Sequence, residues 1–308
     1  MINKKSRIYI AGHTGMVGHS LIATLKTTGY ENLVLTTRAK VDLTNSAQLQ
    51  AFFAEYSIDV VILLAAKVGG IQANIANPTE FYLENTLIAT NVIQAAWQAG
   101  VHTLLNIGSS CMYPAGRAWL SETDLMTGSL EPTNQGYALA KIGAAELCRA
   151  ISQQYKLSYK TLIPCNLYGP YDNFHPEKSH MISAAIRKVH HAKQSGETVE
   201  IWGDGKARRE FMFVDDLSDC ILQVIERIEA TPQMMNVGLG QDHTIQEYYD
   251  MIAKVLGYQG EYQYDLSKPV GMKRKRLNVD RATKWGWQYK TSLEQGIAKT
   301  YDYFRSIL

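Results

Sequence analysis

In IYIAGHTGMVGHSLIATL, Ile8–Leu25, four residues suited to a buried strand run into Gly12, Gly15 and Gly18 and then into an amphipathic pattern that continues to Thr27. Glycines spaced G-x-x-G-x-x-G where a strand turns into a helix let the backbone approach a pyrophosphate and aim the helix N-terminus at its charge. Such turns also occur without a ligand; the position after the first strand of a βαβ unit is what favours a dinucleotide, with Met16 and Val17 in the same turn. Outward from this point, apolar runs at Arg7–Ala11, Asn32–Thr36, Asp59–Ala65, Thr103–Gly108 and Ser158–Pro164 alternate with helical patterns at Met16–Thr27, Ser46–Tyr56, Thr79–Ala99 and Tyr137–Tyr155. Strands apolar on both faces, separated by helices, predict an α/β fold: a Rossmann-like, doubly wound parallel sheet. After Asn166 the chain turns to Gly-, Pro-, His- and aromatic-rich loops, then a helix at Met181–Lys193, a strand VEIWG and REFMFVDD leading into a helix. The expected division is a dinucleotide-binding domain over 1–165, joined by a return strand and helix near 234–257, and a smaller, interleaved C-terminal substrate lobe over 166–308 with a less regular tail after Glu261.

Thirty-one basic residues against 29 acidic ones leave a net charge of +2, so no global field draws the chain to nucleic acid or an anionic membrane. Any anionic partner must be held locally. The longest apolar run, VVILLAA, is too short to span a bilayer, and the N-terminus lacks a signal peptide's apolar core. Cys111, Cys148, Cys165 and Cys220 show neither metal-site spacing nor the density of a disulfide scaffold, so no metal is expected and a reducing cytoplasm is.

The second strand ends in LVLTTRAK, with Arg38 where an NAD-selective site usually carries an acid for the ribose 2′-hydroxyl. Two readings stand: contact with a 2′-phosphate, favouring NADPH, or a solvated surface arginine. Asp42 is either an acceptor for the adenine or a cap for the following helix. Tyr137 and Lys141, in GYALAK, are four apart on a helical pattern and so share a face. An ammonium beside the phenol favours tyrosinate and makes it useful as an acid/base group near neutrality. In GSSCMYP, Gly108–Pro114, the thiol of Cys111 is open to two readings, a buried structural cysteine or an acid/base group.

The glycine motif, LLAAK, the SS-x-x-Y segment, YxxxK and REF-x-x-VDD stand in the order of the extended short-chain dehydrogenase/reductase superfamily, which the chain resembles. Within it, IAGHTGMVG, AAKVGGI, GSSCMYP, EPTNQGYALAK, NLYGPYDNFHP and WGDGKARREFMFVDD are similar to the GDP-L-fucose synthase family of 3,5-epimerase/4-reductases. The resemblance implies Ser109, Tyr137 and Lys141 as the catalytic group at a nicotinamide ring, with Ala65 beside the cofactor. It implies Cys111 as the epimerisation base and His180 as its acid partner, in preference to His175. Arg209 matches a diphosphate-binding position. Trp202 could line the nucleotide, Asn166 could contact the diphosphate or sugar, and Lys275 could add charge unless the KRKR run is a solvated loop. Two departures touch ligand grip: Thr14 in the glycine loop and Lys188 each stand where relatives can carry arginine. A GDP-sugar substrate, NADPH and a homodimer formed through helices Thr79–Ala99 and Tyr137–Tyr155 are the implied partners. Alternatives are a 5-epimerase/4-reductase giving GDP-L-colitose, a GDP-heptose reductase, and a non-catalytic NADP-binding sensor.

Overall fold

The computed structural model describes residues 2–176, 179–268 and 270–308. Six parallel strands form the main sheet in the order Met234–Val237, Ser158–Pro164, Thr103–Ile107, Val60–Leu63, Ile8–Ala11, Leu33–Val34. Alternation along Ile8–Ala11 explains why it is apolar throughout. Ile8 and Ile10 pack with Leu21 and Leu25 of helix Met16–Thr27 and with Leu217 and Ile221 of helix Val214–Glu226. Tyr9 and Ala11 face the other way, onto Leu49 and Phe52 of helix Ser46–Glu55, Val92 of helix Pro78–Gln98 and Cys148 of helix Gln135–Tyr155. The sheet is therefore covered on both faces, as doubly wound folds require. The winding direction reverses between Ile8–Ala11 and Val60–Leu63, and the crevice beyond their carboxyl ends is where such sheets bind ligands.

A third core is built from Tyr168, Ile182, Ile186, Tyr248, Tyr249, Ile252, Ile297 and Phe304. It joins helices Met181–Ser195, Ile245–Leu256 and Leu293–Ser306. This corrects one expectation: strand Met234–Val237 does return to the main sheet, but the helix after it packs in the third core. An apolar helical face states that it will be buried, not against which core. The tail is also more regular than expected, with strands Tyr262–Asp265 and Arg274–Leu277 and a 14-residue final helix. That helix starts at a capping box, Ser292 Oγ accepting from Gln295 N at 3.3 Å and Gln295 Oε1 accepting from Ser292 N at 3.2 Å. A small four-stranded sheet runs His243–Thr244, Arg208–Arg209, Arg274–Leu277, Trp119–Leu120 and brings late residues to the cleft. Among the described residues, no helix is long and apolar enough to cross a membrane.

Candidate active site

One cleft of about 1170 Å³ opens at the reversal point and runs from the glycine turn to the third core. At its first end the turn is shaped by close packing. A Cβ on Gly12, whose φ is +93°, would lie 2.6 Å from Ala65 N, and one on Gly18 would lie 2.6 Å from Gly12 O. Gly15 differs: its Cβ would meet only Gly12 O, at 3.6 Å, so its backbone is bare towards the cleft at the start of helix Met16–Thr27. Met16, Val17 and Ala65 line the same end, and Thr36 Oγ1 is buried there without a hydrogen-bond partner among the described residues. Bare backbone at a helix N-terminus suits a dinucleotide pyrophosphate, and these residues fit one. Arg38 is exposed; its Nη1 donates to Glu84 Oε1 at 3.1 Å, and its Nε is 3.8 Å from Asp42 Oδ2. Glu84 also takes Lys67 Nζ at 3.1 Å. Asp42 does not cap the next helix, a task that falls to Asn45. Its carboxylate accepts from Thr44 N and Thr44 Oγ1, which hold it below the usual carboxylate range.

Ser109, Cys111, Tyr137, Lys141 and His180 all line this cleft. Ser109 follows strand Thr103–Ile107 and caps a short 3₁₀ turn, its Oγ accepting from Cys111 N at 3.2 Å, so serine and thiol are presented together. The thiol is half-buried and accepts two hydrogen bonds, from Asn134 Nδ2 at 3.2 Å and Lys275 Nζ at 3.5 Å. Cys148, Cys165 and Cys220 are buried, and burial pushes each thiol up, as suits inert core residues.

Tyr137 and Lys141 share a helical face, but the expected tyrosinate is corrected. Burial dominates and pushes the phenol well above its ordinary value; the nearby Cys111 adds to this and a hydrogen bond with Ser109 opposes it. Lys141 Nζ lies 5.9 Å from the Tyr137 ring centre and donates to Ile107 O at 2.7 Å. Burial lowers this lysine to about 8. A phenol that keeps its proton is suited to donate it to a developing alkoxide.

His180 precedes helix Met181–Ser195, with Nδ1 3.5 Å from Asp172 Oδ1. The hydrogen bond with Asp172 raises the imidazole, burial opposes this, and the Asp172 charge adds to the rise. Asp172 is itself fixed by Ser183 Oγ. Beside it Tyr171, at φ +65°, stacks on His19 with ring centres 3.9 Å apart, tying this loop to the helix of the glycine turn. Asp172 and Asn134 are functional candidates that pattern reading passed over. Both lie inside quoted motifs, yet nothing local marks either as aimed at a histidine or a thiol.

Asn166, Lys188, Trp202 and Arg209 also line the cleft, with Lys275 beside the Cys111 thiol. Asn166 Nδ2 donates to Glu210 O at 2.9 Å. Lys188 Nζ donates to Glu200 O at 2.9 Å and lies 5.4 Å from the Trp202 ring centre, and burial lowers its ammonium. Arg209 donates to Arg208 O and Val270 O; burial lowers it and Glu131 opposes this. The neighbouring Arg208 is committed to Asp242, at 2.9 Å. Among the described residues no His, Cys, Asp and Glu cluster suits a metal.

Residues 8–238 match the model of the NAD dependent epimerase/dehydratase family. The chain is 46% identical over 301 residues to GDP-L-colitose synthase of Yersinia pseudotuberculosis, covering 97% of each. It is 45% identical over 310 residues to GDP-L-fucose synthase of Escherichia coli K12, again covering 97% of each. A solved GDP-mannoheptose C4 reductase from Campylobacter jejuni, with NADP bound, superposes with a TM-score of 0.92 at 33% identity, over 99% of this chain and 100% of that one. These likenesses run along nearly the whole chain, through the glycine turn and the helix that carries the phenol and the ammonium, and on them the chain belongs to the NAD dependent epimerase/dehydratase family.

Proposed function

We propose that the protein is an NADPH-dependent 3,5-epimerase and 4-reductase that converts GDP-4-keto-6-deoxy-D-mannose to GDP-L-fucose. The observation that carries this reading is the thiol of Cys111, held by two donors in the same cleft as a histidine paired with a carboxylate. A reductase alone needs neither. In the proposed cycle Cys111 Sγ takes the proton from carbon next to the C4 ketone, and the imidazolium of His180 returns one to the opposite face, at C3 and at C5. Ser109 and Tyr137 donate to the ketone oxygen and stabilise the enolate. Solvent resets the thiol and the imidazole between the two centres, so solvent hydrogen enters the sugar. Bound in this cleft, NADPH would supply the hydride to C4. Tyr137 then gives its proton to the C4 oxygen, and Lys141 holds the ribose end. Gly12, Gly15, Met16, Val17, Gly18, Arg38, Asp42 and Ala65 hold the cofactor; Asn166, Lys188, Trp202 and Arg209 hold the GDP-sugar.

A 3-deoxy substrate, giving GDP-L-colitose, is the second reading, favoured by the 46% identity to a colitose synthase. The chain divides into a dinucleotide-binding part over 1–165, completed by strand Met234–Val237, and a substrate part mainly over 166–308. A homodimer forms through helices Pro78–Gln98 and Gln135–Tyr155, which pack side by side and leave Tyr82, Leu83, Leu87 and Leu139 exposed. The protein works in the cytoplasm, a setting its four unpaired cysteines suit. The deciding experiment follows NADPH oxidation and solvent-deuterium uptake with each ketosugar, for wild type and Cys111→Ser. Uptake at C3 and C5 that is lost in the variant, with slow reduction retained, supports the proposal. Reduction without exchange in wild type would make the protein a simple 4-reductase, and uptake at C5 from the 3-deoxy sugar alone would make it a colitose enzyme.

A further inference from the structure

Lys275 approaches Cys111 from 164 residues further along the chain, with Nζ 3.5 Å from Sγ. Its backbone has little freedom. The residue before it, Arg274, donates from Nη2 to Asp242 Oδ1 at 3.1 Å, and Leu277 N donates to Glu210 Oε2 at 2.7 Å. Asp242 and Glu210 are both buried. Between these anchors the strand pairs with Arg208–Arg209 on one side and Trp119–Leu120 on the other. The ammonium is thus delivered to the sulfur by a braced strand, and Asn134 Nδ2 completes the sulfur's hydrogen bonds at 3.2 Å.

We infer that Lys275 is a positioning residue for Cys111, fixing the sulfur where it can take a carbon-bound proton, rather than a ligand of the substrate's diphosphate. This rests on the epimerase reading. The ammonium donates to the sulfur and so holds the Cys111 side chain in this orientation. The other groups facing this sulfur are the Tyr137 phenol and the Ser109 hydroxyl; further along the cleft lie Glu131, Arg209 and His180. Tyr137 and Ser109 are uncharged as neighbours, which leaves Lys275 as the cation bonded to the sulfur among the described residues.

The test is the rate of iodoacetamide alkylation at Cys111 at one fixed pH, read by mass spectrometry of its peptide in the full chain without substrate. Wild type, Lys275→Met and Lys275→Arg are compared, with GDP titrated into each. The expected result is alkylation slowed about tenfold or more in Lys275→Met and restored towards wild type in Lys275→Arg, with GDP affinity changed less than about threefold. An unchanged rate in Lys275→Met overturns the assignment. If that variant does not fold, Lys275→Gln, polar but uncharged, is judged by the same rate. Absence of deuterium uptake by wild type would sink the epimerase reading instead, whatever alkylation shows.

Discussion

A methyl group on Gly15 would meet only the Gly12 carbonyl oxygen, at the ordinary separation of 3.6 Å, and the backbone there, φ −83° and ψ 171°, is open to any residue. Gly15→Ala should therefore fold as wild type does, melting within about 2 °C of it. The new methyl nevertheless stands on the cleft side of the helix N-terminus, where a pyrophosphate would take backbone hydrogen bonds. Loss of one hydrogen bond to a charged group costs about 1.5–3 kcal/mol, which is roughly a 10- to 150-fold rise in the Kd for NADPH. Gly18→Ala provides the contrast. Its Cβ would overlap the His13 carbonyl and sit 2.6 Å from Gly12 O, so the turn must open by about 1 Å, a strain of about 1–3 kcal/mol that should lower Tm by about 2–5 °C. Fluorescence titration with NADPH and thermal melting of the two variants read both effects. A Gly15→Ala protein that binds NADPH as tightly as wild type would refute the placement of the pyrophosphate at this helix.

Asp172→Asn should lower the imidazole of His180 towards its ordinary value; because the protonated form is the donor, the alkaline limb of deuterium exchange moves to lower pH, and an unmoved limb refutes the pairing. The same shift carries a stability sign: Asp172 raises His180 in the folded state, so its contribution is present below the unfolded value and is lost as pH rises through the folded one. Lys141→Met should reduce ketosugar at least about 100-fold more slowly without a fall in Tm at neutral pH. The penalty for burying that ammonium, lowered from 10.5 to about 8, is about 3 kcal/mol and offsets the lost Ile107 carbonyl partner, about 1–3 kcal/mol. Because the unfolded lysine binds the extra proton between about pH 8 and 10.5, wild type should gain stability across that window and the methionine variant should not. Glu84→Gln should release Arg38 and Lys67 from a shared carboxylate and tighten NADPH up to about fivefold, the scale of an exposed ion pair, with NADH unchanged in parallel titrations.

The sheet was legible from Ile8–Ala11 onwards because alternation and glycine spacing are local properties, and helices Met16–Thr27 and Ile245–Leu256 start and stop where their patterns do. The final helix was harder to read because Gly296 interrupts its pattern; the structure shows that glycine letting the helix close against Tyr168. Tyr137 shows another limit. Spacing places its lysine on the same face, but only the packed cleft reveals that burial raises the phenol and that Lys141 turns to a carbonyl. Lys275 reads in sequence as added charge for the substrate or part of a solvated basic run, since pairing with a thiol 164 residues away depends on strand order in a small sheet that no local pattern encodes.

That small sheet also sets a clock. With synthesis at about 5–20 residues per second, roughly ten to thirty seconds separate Cys111 from Lys275 on the ribosome. Through most of that interval the nascent chain already carries its glycine turn, serine and phenol, while the sulfur waits without its ammonium. A polypeptide released early, before Arg274, would resemble a nucleotide binder with a dormant thiol, so reaching the last tenth of the chain is the event that arms it.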